Sequence, residues 1–186
     1  MKKILFLMAM SIISIYSFSQ EKVLFRLQQD GTFLSDKSGK KYEIVLFEGV
    51  SCDKLYITIK NNINSLFKKP KEVMSEVENT SISIRAYSDA ITCDKLPLCA
   101  VSVYSGYYNL MFHFKDGKIK VDAPIIDETI YEGLEERNFS YIASGFFKKG
   151  NVNPKKEKYK LLTEDQLNVI INKILGFGNN TEEDEW

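Results

Sequence analysis

The segment 107–123 contains an Asp-Gly pair, Asp116-Gly117, between two stretches in which apolar and polar residues alternate. Glycine adopts the positive φ of a type I′ turn, so this arrangement predicts a β-hairpin with a two-residue loop. The expected cross-strand pairs are Lys115 with Lys118, Phe114 with Ile119, Phe112 with Val121, and Leu110 with Ala123.

One face of this hairpin is entirely apolar. The other face carries Asn109, Met111, His113, Lys115, Lys118, Lys120 and Asp122. Such a hairpin is typical of an antiparallel sheet that helices cover on one face and water contacts on the other.

The N-terminus has the features of a secretory signal peptide. Lys2 and Lys3 precede a short apolar run, 4–15, and small residues follow at Ser17 and Ser19. A membrane anchor is the alternative, but the run is too short for a comfortable spanning helix and no second apolar stretch follows. We therefore expect cleavage after Ser19 and a periplasmic or secreted protein.

The charge balance gives no indication of a polyanionic partner. The chain has 25 basic and 25 acidic residues, and cleavage removes two lysines, which leaves a net charge of about −2. Nucleic acid and anionic lipid are bound by strongly basic surfaces. We therefore expect no nucleic-acid partner and no membrane association after cleavage.

The first half of the remaining chain reads as strands around one helix. Predicted strands are 23–27 and 32–34 about Asp30-Gly31, then 42–47, 72–77 and 81–87, followed by an irregular loop over 88–102. Ser51 is a good N-cap for a helix over 52–68 that Pro70 ends. Its apolar stripe comprises Leu55, Ile59, Ile63, Leu66 and Phe67.

The second half is less regular. Residues 128–136 are consistent with a short polar helix, and 139–160 show no clear pattern. Thr163 and Gln166 form a capping box for a helix over 163–175, with Gly176 as its C-cap. The expected segments are a signal peptide (1–19), an N-terminal hairpin (20–40), an α+β domain (41–124), a C-terminal segment whose helix packs back on that domain (125–176), and a disordered acidic tail (177–186).

The order of these elements resembles a bacterial family of exported domains of unknown function with a TBP-like fold. The resemblance covers 41–124 and rests on Val50-Ser51, Leu55-Tyr56 and Asp116-Gly117. Family members often carry a Trp in the first helix, whereas the only Trp here is Trp186. The resemblance implies an α+β fold, a curved antiparallel sheet with helices packed on one face. It supplies no activity and no catalytic residues.

His113 is the only histidine. In the hairpin register it lies opposite Lys120 and near Asp122, so a His-Asp pair is geometrically possible. Without a second histidine, neither a zinc set nor a Ser-His-Asp arrangement follows from the spacing. We interpret His113 as a surface residue and expect no catalytic residue, metal or cofactor.

Three cysteines in an exported chain suggest a disulfide. We predict a bridge between Cys93 and Cys99, and so small a loop contributes about 2 to 2.5 kcal/mol in the chain-entropy estimate. Cys52 is then left at the start of a helix, where the dipole lowers a thiol pKa. We interpret it as a small space-filling residue because no base or resolving cysteine accompanies it.

These observations favour a non-enzymatic binding module of the cell envelope, whose partner is an unknown protein or small molecule. The candidate interaction surface comprises Arg85, Tyr87, Asn109, Met111 and His113. One alternative is a small-molecule carrier with its ligand between the sheet and 125–162. Another is an envelope enzyme that uses Cys52 or His113.

Overall fold

The protein is described here by a computed structural model that covers residues 21–95, 101–131 and 135–177. The predicted signal peptide and all but the first residue of the predicted acidic tail lie outside these ranges. The strands are β1 (Phe25–Leu27), β2 (Phe33–Ser35), β3 (Tyr42–Leu46), β4 (Met74–Val77), β5 (Ser81–Lys95), β6 (Val101–Lys115), β7 (Lys118–Asp122), β8 (Ile125–Tyr131), β9 (Glu135–Arg137), β10 (Phe147–Lys148) and β11 (Asn151–Val152). The helices are α1 (Cys52–Leu66), α2 (Pro70–Val73), α3 (Phe139–Ser144) and α4 (Glu157–Leu175).

Seven strands form one antiparallel sheet around the long strand β6. The main order is β3-β7-β6-β5-β4, and β8 also pairs with β6 and carries β9. β5 pairs along one side of β6, whereas β8 and β7 share the other side. Both are antiparallel to β6, so β7 and β8 follow one another in the same direction, separated by Ala123 and Pro124.

The predicted hairpin is confirmed. Phe114 pairs with Ile119 and Phe112 pairs with Val121, but the pairing ends there, and Asn109 instead pairs with Ile125 of β8. The ladder contains no pair between Leu110 and Ala123, because β7 ends at Asp122.

The hairpin tip is joined to the start of α1. The backbone N–H of Cys52 donates to Asp116 Oδ1 at 2.8 Å, and the N–H of Gly117 donates to the Val50 carbonyl at 2.8 Å. Ser51 is the N-cap of α1, as predicted, and accepts from the Lys54 N–H at 3.4 Å. The turn therefore fixes both the strand register and the position of the helix.

The prediction of an irregular loop over 88–102 is wrong for the described part of that segment. β5 continues to Lys95 after a bulge: Ser88 pairs with Gly106, and Thr92 pairs with Tyr104. The extra residues of the bulge break the alternation of apolar and polar positions, which hid the second half of this strand.

The predicted polar helix over 128–136 is also wrong, because its first part belongs to strand β8. This strand comes very close to β6 at Gly106, where a Cβ atom would lie 2.1 Å from the Glu128 carbonyl oxygen. A second register shift follows between Tyr107 and Tyr108, so the pattern of β8 does not alternate either.

Helix α4 begins six residues before the predicted capping box. Thr163 lies inside the helix, where its hydroxyl donates to the Tyr159 carbonyl at 2.9 Å and lies 2.8 Å from the hydroxyl of Thr92. Thr163 is thus a buried contact with β5 rather than an N-cap. α1 ends two residues earlier than predicted, and Pro70 begins α2.

The core lies between one face of the sheet and helices α1 and α4. Side chains with no exposed area include Ile63, Phe112, Val121, Leu167 and Ile171. The β1–β2 ribbon packs on α4 and forms a separate two-stranded sheet. In the described ranges, no helix is both long enough and apolar enough to cross a membrane.

Candidate functional site

The sheet face turned away from α1 and α4 is called the open face below. It is formed by the odd-numbered residues of β4, of β5 (81–87, and Cys93 after the bulge) and of β6 (101–115), the even-numbered residues of β3 and β7, and the neighbouring residues of β8. The pairing places all residues of the predicted interaction surface on it, namely Arg85, Tyr87, Asn109, Met111 and His113. Tyr87 is 48% exposed and Met111 is 37% exposed.

An arginine between aromatic and acidic groups occupies the middle of the open face. The guanidinium carbon of Arg85 lies 4.1 Å from the centre of the Tyr107 ring, and the Tyr87 ring meets Tyr107 edge-on at 5.2 Å. Arg85 Nε is 3.5 Å from Asp127, and Nη2 is 3.6 Å from Glu128. These contacts hold two tyrosine rings in fixed positions, and the five residues are called the Arg85 cluster below.

Asn109 extends this cluster along β6. Its side-chain amide donates to Asp127 Oδ2, so one carboxylate contacts both Arg85 and Asn109. Sequence reasoning missed Tyr107 and Asp127. Tyr107 could have been identified from the sequence, because it is an odd-numbered residue of the same strand as Asn109 and so lies on the same face. Asp127 could not, because it lies on β8, which was predicted to lie outside the sheet.

His113 lies in a second polar group near the hairpin. Its Nε2 is 2.8 Å from Asp122 Oδ2, and the other oxygen of Asp122 accepts from Lys120 at 2.9 Å. The Lys120 ammonium also lies 5.6 Å from the centre of the Tyr42 ring. The His-Asp pair that the hairpin register makes possible is therefore present.

Cys52 is not on the open face, since it begins α1 on the opposite side of the sheet. Its thiol donates to the Asn79 carbonyl at 3.0 Å. Burial raises the pKa of the Cys52 thiol, and the nearby carboxylates of Asp116 and Asp53 raise it further. The expected lowering by the helix dipole is opposed because Asp116 already occupies the helix start, hydrogen-bonded to the Cys52 N–H.

Cys93 lies opposite Val103 on the open face and is half-buried. Burial, and after it the charge of Asp94, raises the pKa of this thiol. Its predicted partner, Cys99, lies outside the described residues, so the disulfide remains a prediction.

The segment 125–162 contributes to the core as well as to the sheet. Phe139, Ile142 and Phe146 are buried, and Phe139 stacks on Phe33 of the ribbon with 6.3 Å between ring centres. These side chains occupy the contact between the segment and the rest of the protein. Over the described residues, no group of three or more His, Cys, Asp or Glu side chains is arranged to hold a metal ion.

Comparison with known proteins identifies the fold. The chain is similar to the crystal structure of a DUF4468 family protein from Bacteroides ovatus ATCC 8483, with a TM-score of 0.56, 12% sequence identity, and coverage of 91% of this chain and 95% of that chain. It is also similar to a TBP-like protein from Parabacteroides distasonis ATCC 8503, with a TM-score of 0.44, 14% identity, and coverage of 76% and 92%. No family model and no curated protein matches.

The predicted resemblance to a domain of unknown function is confirmed for the fold by the first of these structures. The α+β architecture, with a large open antiparallel sheet, is likewise confirmed.

Proposed function

We propose that the protein is an exported, non-enzymatic binding module of the cell envelope, and that its open face contacts a protein partner. The observation that carries this proposal is the composition of that face. Eight large apolar side chains on it are more than a third exposed: Ile44, Leu46, Val77, Tyr87, Val101, Val103, Met111 and Ile125. They are half of the large apolar side chains that are more than a third exposed in the described residues, and this concentration on one sheet face favours an interaction site.

The Arg85 cluster supports a protein as the partner. Tyr, Arg and Met are enriched at the centres of protein interfaces, where rigid side chains lose little conformational entropy on binding. The Tyr87 and Tyr107 rings are already held by their mutual contact and by Arg85. Acidic groups lie among the basic ones on this face, which favours a protein over a polyanion.

The environments of the two candidate catalytic residues support a non-enzymatic role. A raised thiol pKa makes Cys52 a poor nucleophile at neutral pH. His113 lies on the opposite face of the sheet from Cys52 and is bound to Asp122, so the two cannot act as a nucleophile and its base. Export is supported by the features of residues 1–19, and it predicts a mature N-terminus at Gln20 in protein purified from the cell envelope.

Photocrosslinking in the producing cells tests the interaction surface. A photoreactive phenylalanine analogue replaces Tyr87, and in a matched control it replaces Tyr141, which is 72% exposed and lies on α3. We expect a discrete crosslinked product from position 87 and none from position 141. Equal products from both positions, or none from either, would contradict the proposal.

A double variant, Tyr87→Ser with Met111→Ser, tests the same surface without a probe. Both side chains are exposed, so the urea midpoint of the variant should match that of the unmodified protein. We expect it to lose the partner that position 87 identifies. Undiminished binding by this folded variant would show that the open face is not the interface.

A further inference from the structure

The hairpin end of the open face carries a basic depression with a volume of about 360 Å³. It is lined by Ile44, His113, Lys115, Lys118 and Lys120, and it is called the lysine depression below. Its size is at the small end of the range for ligand sites, roughly 300 to 1,000 Å³. It lies along β6 beyond the Arg85 cluster and shares Ile44 and His113 with the proposed protein interface, but its ligand is tested without the protein partner.

Two of its lysines face each other without a counter-ion. Lys115 and Lys118 form the cross-strand pair that flanks the turn, and like charges directly opposite each other destabilise a sheet. In the described part of the chain neither ammonium forms an ion pair, whereas Lys120 is held by Asp122 at 2.9 Å. The depression therefore concentrates positive charge that the described residues do not neutralise.

The same depression has an apolar side. Ile44 pairs with Lys120 and is 47% exposed, and Leu46 pairs with Lys118 and is also exposed. A free inorganic anion would contact the ammonium groups but would leave this apolar surface in water. A ligand with one negative group joined to an apolar portion contacts both.

We propose that the lysine depression binds a small amphipathic carboxylate. Its carboxylate contacts Lys115 and Lys118, and its apolar portion lies on Ile44. Charge complementarity supplies the orientation, since the apolar side chains lie on β3 and the unpaired ammonium groups lie at the turn.

The only histidine of the chain makes this proposal directly testable, because the ring signals of His113 report on the depression without assignment of other residues. The protein is titrated at constant pH with octanoate, with acetate, and with octan-1-ol, and the ring signals are followed by nuclear magnetic resonance. We expect a saturable shift with octanoate and none with acetate or octan-1-ol at the same concentrations.

Variants then locate the site. Lys115→Gln combined with Lys118→Gln should weaken octanoate binding about tenfold, which corresponds to about 1.4 kcal/mol. The matched control, Lys148→Gln with Lys155→Gln, removes two exposed lysines elsewhere and should leave binding unchanged. A urea midpoint no lower than that of the unmodified protein shows that the double variant is still folded.

Four results would overturn the proposal. The first is no saturable shift with octanoate. The second is an equal response to acetate, which indicates only charge screening, and the third is an equal response to octan-1-ol, which indicates only apolar contact. The fourth is flotation of the protein with anionic lipid vesicles without any response to octanoate, which indicates that a membrane surface is bound instead.

Discussion

The two faces of the seven-stranded sheet are formed by the same strands but are held by different interactions. On β6, Phe112 has no exposed area and packs under the helices, whereas its neighbour Met111 is 37% exposed. The polar groups of the covered side are buried and largely paired. On the open face, charges are exposed, and two lysines have no ion-pair partner among the residues that the structure describes. This difference indicates that the covered side secures the fold and leaves the open face available for binding.

Side chains of α4 form hydrogen bonds with the backbone of the extended segment that begins at Val23. These bonds, called the ladder below, show how fully the covered side is paired. The Asn172 side chain accepts from the Val23 N–H at 2.9 Å and donates to the Val23 carbonyl at 2.7 Å. Asn168 does the same with Phe25, at 2.9 and 3.1 Å. Four residues along a helix advance about 6.0 Å, and two residues along an extended chain advance about 6.6 Å. The two asparagine side chains therefore have nearly the same spacing as the backbone groups that they bind.

Glu164 adds a third contact to this ladder. Its carboxylate accepts from the Leu27 N–H at 2.7 Å, although its side chain has no exposed area. Lys160, one turn earlier, and Arg26 of the ribbon neutralise it. A buried carboxylate is tolerated here because the Leu27 N–H, Lys160 and Arg26 Nη1 all donate to it.

The largest expected effect comes from replacing, one at a time, the two neighbouring residues Phe112 and Met111 of β6 with alanine. Phe112→Ala should destabilise the protein by about 3 to 5 kcal/mol, because it leaves a cavity under both helices. Met111→Ala should cost no more than about 1 kcal/mol, because the side chain is partly exposed. Urea unfolding measures both values. Equal losses would mean that the open face is also part of the core.

The ladder predicts the next largest effect. Asn168→Ala leaves the N–H and the carbonyl of Phe25 unpaired, which should cost about 2 to 3 kcal/mol. Hydrogen exchange at the Phe25 amide should accelerate more than exchange at amides of β6. Asn151→Ala, at an exposed position of β11, serves as the control and should change stability by less than about 0.5 kcal/mol. A similar loss of stability in both variants would show that the ladder contributes no more than an exposed surface residue does.

Gly106 joins the two regions, because it permits the close approach of β8 to β6. Gly106→Ala places a methyl group 2.1 Å from the Glu128 carbonyl oxygen, so β8 has to move, at a cost of about 1 to 3 kcal/mol. The displaced strand carries Asp127, so the variant should also weaken the Arg85 cluster. Val101→Ala, at an exposed position of β6 outside its pairing with β8, should leave that pairing intact. Unchanged exchange of β8 amides in the glycine variant would contradict this account.

A smaller, pH-dependent effect is expected where β4 meets α1. Hydrogen bonds from Lys60 and then Tyr56 lower the pKa of Glu76 below its ordinary value of 4.5. The charged form is thus favoured in the folded state, so this contribution is present above about pH 4.5 and is lost as pH falls through the folded-state pKa. Glu76→Gln should flatten the decline of urea stability with acid over that range. Lys60→Gln should also make this decline less steep. An unchanged slope in both variants would show that Glu76 does not contribute to the acid sensitivity.

The features that were predicted correctly are local ones. The Asp116-Gly117 turn and the Ser51 cap follow from the preferences of a few adjacent residues, and both are observed. The second half of β5 and all of β8 were missed because bulges interrupt their alternation, and a bulge is fixed by the neighbouring strand. One indication of these missed strands was available. Buried and exposed positions alternate over all fifteen residues of β6, and a strand of this length needs pairing partners along its whole length.

The ladder was missed for a different reason. Asn168 and Asn172 are buried on α4 beside Leu167 and Ile171, and their local sequence does not distinguish them from solvated polar residues. Their partners are backbone groups about 145 residues away, which no local pattern can identify. The indication that was available is the spacing of four between Glu164, Asn168 and Asn172, which places three hydrogen-bonding side chains on one line of a helix.

The smallest expected effect is a gain of stability on the open face. Lys118→Glu replaces the repulsion across from Lys115 with an attraction, which should stabilise the protein by about 0.5 kcal/mol. High salt should remove most of the gain, because both groups are exposed and their interaction is screened. Lys148→Glu controls for the change in net charge and should leave stability unchanged. A gain from Lys118→Glu accompanied by loss of the octanoate response would mean that the unpaired lysines lower stability while they serve binding. A loss of stability would mean instead that Lys118 has a structural role that its contacts do not reveal.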